Sequence, residues 1–219
     1  MGDAGAQNHI DLVDWRRRVG DLYRLASRDG LDAFRSARDD LLRSHPQSPI
    51  PPDDRADFGG IDYFPPDPAL RFQTRVIPAK VEAEVEIDTG GPDGVIHYRT
   101  VGQVPIEVAQ HQYRLTLFSI AGYGGGLFLP FRDATSGTET YGGGRYLFDT
   151  IKNTDAGALE VTVGSLQVVV DFNYAYNPSC AYNPHWACPL APRENWLPVP
   201  IRAGERAYRP RPAQAVAPV

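Results

Sequence analysis

The 219-residue chain predicts a mainly β fold: an antiparallel β-sandwich or partly open β-barrel with an N-terminal α-helical hairpin. Three observations carry this. From Thr74 onward, short apolar runs recur with Gly, Asn or Asp between most of them and no helical periodicity. Residues 9–44 place apolar side chains at helical spacing instead. Residues 45–72 are so rich in Pro and Asp that neither regular element fits.

In the hairpin, Ile10, Val13, Trp15, Val19, Leu22, Leu25 and Ala26 form a broad stripe that Asp29-Gly30 interrupts. Leu31, Phe34, Leu41 and Leu42 resume it, with Asp32 as a cap and Pro46 as the stop. Residues 1–8 read as a disordered N-terminus. The segment 45–72 carries Phe58, Tyr63, Phe64 and Phe72, which a free linker would lack. It reads as an extended strap laid over the domain. The β-rich domain is placed at 73–206. In Val81–Ile87, Glu82, Glu84 and Glu86 alternate with apolar neighbours, the pattern of a half-exposed strand. A turn at Thr89–Gly94 follows, and then the runs GVIHYRTVG, QVPIEV, YRLTLFSI, GLFLPF, RYLFDTI, ALEVTVG and SLQVVVDF. Residues 207–219, rich in Pro and Ala, read as a disordered tail.

Composition narrows the partners. The net charge of -5 gives no basic face for nucleic acid. Arg16, Arg17 and Arg18 are answered by Asp11, Asp14 and Asp21 at helical spacing. No apolar stretch is long enough for a bilayer, and the N-terminus lacks a basic region ahead of an apolar one. A cytoplasmic protein with its two cysteines reduced is the expectation.

Two segments are dense in chemistry. Arg132–Leu147 joins two strands through Arg132, Asp133, Thr135, Ser136, Thr138, Glu139, Thr140, Tyr141, three glycines and Arg145. An arginine behind a hydroxyl-rich loop can hold an anion. The alternative is a hairpin loop whose side chains satisfy its own backbone. The second segment is Asp171–Asn195. It opens on Asp171 and Asn173 at a strand end, where partial burial would suit a carboxylate to base catalysis. An acid that merely organises the following turn is the competing reading. Cys180, His185 and Cys188 then suggest zinc but fall one ligand short of a structural site. Cys180 is also a candidate nucleophile with His185 near in sequence, or both cysteines are small buried hydrophobes. Neither metal nor cofactor is expected.

The segments SPIPPDDRADFGGIDYFPPDPALRF, LFLPFRDATSGTETYGGGRYL, DFNYAYNPSCAYNPHWACPLAPREN and PVPIRAGE together resemble a bacterial and archaeal family, domain of unknown function 1684, over about residues 10–206. The resemblance implies one β-rich domain with a helical N-terminus. It implies no activity, cofactor or catalytic residue, and it implies that position 185 often holds a residue other than histidine.

The function expected from the residues is a small-molecule enzyme using cofactor-independent acid–base chemistry, a hydrolase, isomerase or cyclase, in a barrel or sandwich pocket. Asp171 would be the base, Glu139 or Tyr141 the proton partner, and Arg145 the anion anchor. Asp133, Asn173, Tyr176, Tyr182 and Trp186 would contact substrate. Asp171, Arg145 and Glu139 should then converge on one cavity. The runner-up is a non-catalytic protein whose aromatic loop stacks a small planar ligand. A third reading is a scaffold that binds a partner through the helical arm. The expected partners are a small-molecule ligand and, as an open assembly, a second copy in a homodimer, with neither nucleic acid nor membrane.

Overall fold

The computed structural model describes residues 2–91, 94–155, 159–161 and 164–209. Helix α1 (Gly2–Ser44) is broken at Gly30, whose φ of 88° and ψ of -179° are open to glycine and not to a residue with a side chain. The two halves fold back on each other. Gln47, just past the second half, reaches back to Asn8, and His45 Nε2 lies 3.3 Å from Asp14. Val19, Leu22, Tyr23 and Ala26 of the first half pack on Phe34 and Leu41 of the second, and Tyr174 closes the cluster from the β domain. This is the hairpin that the sequence predicts.

Two details of the hairpin differ. The helix begins at Gly2, so residues 2–8, expected to be disordered, extend it; Ala4 and Ala6 favour helix and Asp3 suits its first turn. Ile10 and Val13 are exposed rather than part of the apolar face. At 100° per residue they point away from the line through Trp15, Val19, Tyr23 and Ala26, so the buried stripe is narrower than the sequence suggested.

The strands are β1 (Arg71–Arg75), β2 (Ile77–Pro78), β3 (Glu84–Asp88), β4 (Val95–Val108), β5 (His111–Ile120), β6 (Leu127–Phe131), β7 (Arg145–Asp149), β8 (Leu159–Val161) and β9 (Gln167–Asp171). They form two antiparallel sheets. One has three strands in the order β1-β9-β8. The other has six, β2-β4-β5-β6-β7 with β3 also paired to β4. One core unites them: Val168 and Val170 of β9 meet Val104 and Ile106 of β4, Leu115 and Leu117 of β5, Phe131 of β6 and Leu147 of β7. The fold is therefore mainly β with an N-terminal helical pair.

The runs GVIHYRTVG and QVPIEV are not two strands. They are the single long β4, carried past an irregularity between Thr100 and Gly102. A Cβ at Gly102 would lie 2.4 Å from the Ile77 carbonyl oxygen, so the glycine lets the short edge strand β2 approach. Strand β1 already starts at Arg71, in what reads as the end of the strap. RFQTR is mostly polar, and its pairing with β9, Phe72 opposite Val170, supplies the order that its composition does not.

The strap turns through short 3-10 segments and buries Ile50, Phe58, Ile61 and Phe64. Past residue 206 the chain still packs: Ala207 N–H donates to the Glu139 carbonyl at 3.0 Å, and Tyr208 lies against Tyr182. The rest of the expected tail, 210–219, lies outside the described residues. Among the described residues no helix is long and apolar enough to cross a membrane.

Candidate functional site

Two buried ion pairs hold the segments rich in chemistry. The guanidinium of Arg145 is 1% exposed, and both of its terminal nitrogens are engaged. It donates to Asp133 at 2.7 Å, to the Ile201 carbonyl at 2.7 Å, and to the carbonyls of Ala203 and Glu205. Burial lowers its pKa and Asp133 opposes that shift. Asp133 also accepts from the Thr135 amide and hydroxyl, and Thr135 meets Thr140 at 2.9 Å. The polar loop thus satisfies itself and pins the C-terminal segment, with both terminal nitrogens of Arg145 spent on protein acceptors.

The second pair is Arg38 with Glu205. Glu205 accepts from Arg38, from the Asn177 amide at 2.7 Å and from the Tyr182 hydroxyl at 2.6 Å. Burial works against the charge of Arg38, but Glu205 overrides it and holds the guanidinium well above its ordinary pKa.

The expected convergence of Asp171, Arg145 and Glu139 on one cavity is not found. Asp171 caps the turn Phe172–Tyr174, accepting from the Asn173 amide and side chain, with Arg71 3.8 Å away. Asn173 in turn brackets Asp67 of the strap. Glu139 is paired with exposed Arg202 at 2.8 Å, whose hydrogen bond lowers its pKa. Tyr141 donates to Cys180 Sγ at 3.5 Å, and burial raises its pKa. These acids are spent on local geometry because the strand ends that carry them face different neighbours, a fact that period-2 alternation does not encode.

A cavity of about 490 Å³ lies elsewhere, between α1 and the loop after β9. The face of α1 that carries His9, Leu12, Arg16 and Val19 forms one wall, with Trp15 beside it. Arg38 and Leu42 come from the second half of the helix, and Ile151, Lys152 and Thr154 from the turn after β7. The loop after β9 contributes Tyr176, Asn177, Tyr182, Trp186 and Cys188. Tyr176 is fixed there by paired backbone hydrogen bonds with Tyr146, which extend β7. Tyr176 and Tyr182 are core residues as well as wall, whereas Trp186 is 39% exposed.

Electrostatically the wall is one-sided. Arg16, Arg38 and Lys152 line it, and no carboxylate does among the described residues. Asn177 is 2% exposed, and its side-chain oxygen is buried without a hydrogen-bond partner. An unmet buried acceptor is costly unless something completes it. Three of the expected ligand contacts, Tyr176, Tyr182 and Trp186, line this cavity, but sequence reasoning missed its other walls because they come from three distant segments. The signal that existed was the spacing of Leu12, Trp15, Arg16 and Val19 on one helical face, and it reads equally as packing.

Both cysteines are free thiols, Cys188 buried and Cys180 partly buried, and each shifts the other's ionisation, so the pair singles out neither sulfur as activated. His185 lies on an exposed turn beside Trp186. Among the described residues no group of three or more His, Cys, Asp or Glu side chains gathers as a metal site.

The family described as "Protein of unknown function (DUF1684)" matches residues 56–206. A solution NMR structure of the uncharacterized protein from gene locus rrnAC0354 of Haloarcula marismortui is similar at 36% identity and a TM-score of 0.58. That similarity covers 80% of this chain and 91% of the other. No curated protein matches the chain significantly.

Proposed function

Since the chain belongs to the protein family of unknown function DUF1684, which brings no chemistry with it, we propose from the cavity that it binds a small anionic molecule with a planar apolar body. The carrying observation is a cavity of about 490 Å³ with three basic side chains on its wall and no acid among the described residues. That volume suits a small ligand. In a chain of net charge -5, a basic, partly enclosed wall concentrates anions locally. The charge of Arg38 is answered by Glu205, so Lys152 and Arg16 supply the attraction. Trp15 with Trp186 would flank its flat face.

The acid–base enzyme reading gains less support, because Asp171, Glu139 and Tyr141 are each engaged with other partners and none of them lines the cavity. Isothermal titration with matched aromatic carboxylates, aromatic phosphates and neutral aromatic amides tests the proposal. The anionic members should bind, and Lys152→Ala should weaken them about tenfold or more, as loss of a charged hydrogen bond does. Trp186→Ala should also weaken them without unfolding the protein. Equal binding of the neutral set, or indifference to Lys152→Ala, would overturn it.

A further inference from the structure

At Trp196, outside the cavity, two arginines meet one exposed indole. The Arg132 guanidinium carbon lies 4.4 Å from the ring centre, and that of Arg193 lies 5.5 Å away. Trp196 is 44% exposed, Arg193 is exposed and Arg132 is partly buried. None of the three lines the cavity.

The backbone beneath them is anchored. Strand β6 pairs with β5 only at Leu127 and Phe128, and Pro130 has no N–H with which to continue the ladder. The fully buried side chain of Asn195 fills that gap. Its oxygen accepts from the Thr116 N–H at 2.7 Å, and its nitrogen donates to the Thr116 and Pro130 carbonyls at 2.9 and 2.8 Å. This fixes the short turn Arg193–Asn195 against the sheet. The Arg132 N–H then donates to the Asn195 carbonyl at 3.0 Å, and the Leu197 N–H donates to the Arg132 carbonyl at 2.7 Å. The indole N–H donates to the Ala191 carbonyl at 2.9 Å.

Neither guanidinium makes a hydrogen bond or an ion pair among the described residues. Contact with an aromatic ring steadies a guanidinium without supplying an oxygen acceptor, so its N–H donors are left to water or a ligand. The acids next in sequence do not answer them: Asp133 is paired with buried Arg145, and exposed Glu194 makes no ion pair among the described residues.

We propose that Arg132 and Arg193, steadied by Trp196, bind the diphosphate group of a small soluble anion. A carboxylate offers an edge to one guanidinium, whereas a diphosphate offers one on each phosphoryl group, matching one arginine apiece. Side chains held in advance lose little freedom when the anion arrives. Two arginines with Glu194 beside them carry too little charge for nucleic acid or an anionic bilayer, which require a broad basic face.

The test adds inorganic pyrophosphate to the isotope-labelled full chain at low ionic strength, where attraction is least screened, and follows the indole N–H signals by NMR. The signal that disappears in Trp196→Leu should shift as pyrophosphate is added. Shifts confined to Trp15 and Trp186 would put the anion in the cavity and overturn the proposal. In titration calorimetry pyrophosphate should bind more tightly than orthophosphate. Arg132→Gln and Arg193→Gln should each weaken it about tenfold or more, as loss of a charged hydrogen bond does. Glu194→Gln, an exposed change that leaves the packing alone, should tighten it by removing a neighbouring negative charge. Equal affinity for orthophosphate, or affinity indifferent to both arginine substitutions, would overturn the proposal.

Discussion

Arg38 Nε lies 2.5 Å from Glu205 Oε1, and both side chains are buried, 7% and 1% exposed. The bond joins the second half of the helical hairpin to the segment that follows the last strand-end loop of the β domain. The partners on Glu205, Asn177 and Tyr182, are cavity wall. The ion pair is thus the rivet that sets the hairpin against the loop and keeps the cavity open between them.

Removing one member should therefore destabilise the protein strongly. Glu205→Ala leaves the Arg38 charge buried, together with the Asn177 amide and the Tyr182 hydroxyl, and should lower unfolding free energy by about 3–5 kcal/mol. The double substitution Arg38→Met with Glu205→Leu should recover part of that loss, since no charge is then stranded. Urea unfolding of the two proteins decides it. A loss of less than about 1 kcal/mol for Glu205→Ala, the range of exposed pairs, would reduce the pair to a surface contact.

Asp171 is a turn cap by its hydrogen bonds, and a cap keeps its acceptor when the charge is removed. Asp171→Asn should change stability by less than about 0.5 kcal/mol, whereas Asp171→Ala should cost about 0.5–2 kcal/mol. Both should leave binding of anionic aromatics unchanged. Loss of a function in Asp171→Asn, with the fold intact by circular dichroism, would return Asp171 to the role of base.

Asp149 supplies a pH dependence. Burial raises its pKa, with Lys152 and the Ile151 amide opposing. A carboxyl whose folded pKa lies above its unfolded value holds its proton better when folded. Its contribution to stability is therefore fully present below the unfolded pKa and is lost as pH rises through the folded pKa. Asp149→Asn keeps the acceptor for the Ile151 amide and removes that charge. The variant should be more stable than the wild type at pH 7, and the difference should shrink as pH falls toward 4. Thermal unfolding across that range measures it, and a constant difference would show that Asp149 ionises without cost.

Sequence and structure agree where a single segment contains its own cause. The alternation of Glu84, Val85, Glu86 and Ile87 makes an edge strand with its acids in solvent, as period 2 requires. Asp29-Gly30 breaks the helix because the required backbone angles are open to glycine alone. The self-satisfied loop at Asp133, Thr135 and Thr140 was also legible, as one of two readings of the same polar residues.

The choice between such readings was tertiary. Whether Arg145 holds an anion or a backbone depends on where the carbonyls of Ile201, Ala203 and Glu205 return, and those lie more than fifty residues on. The cavity gathers two halves of a hairpin, a turn after β7 and the loop after β9. The sequence by itself determined the helical hairpin with its break and the alternation of strands such as β3, because these follow from local spacing and backbone sterics. The tertiary structure alone decided which polar groups meet, since hydrogen bonds and ion pairs act over a few ångströms of space with no regard to separation along the chain.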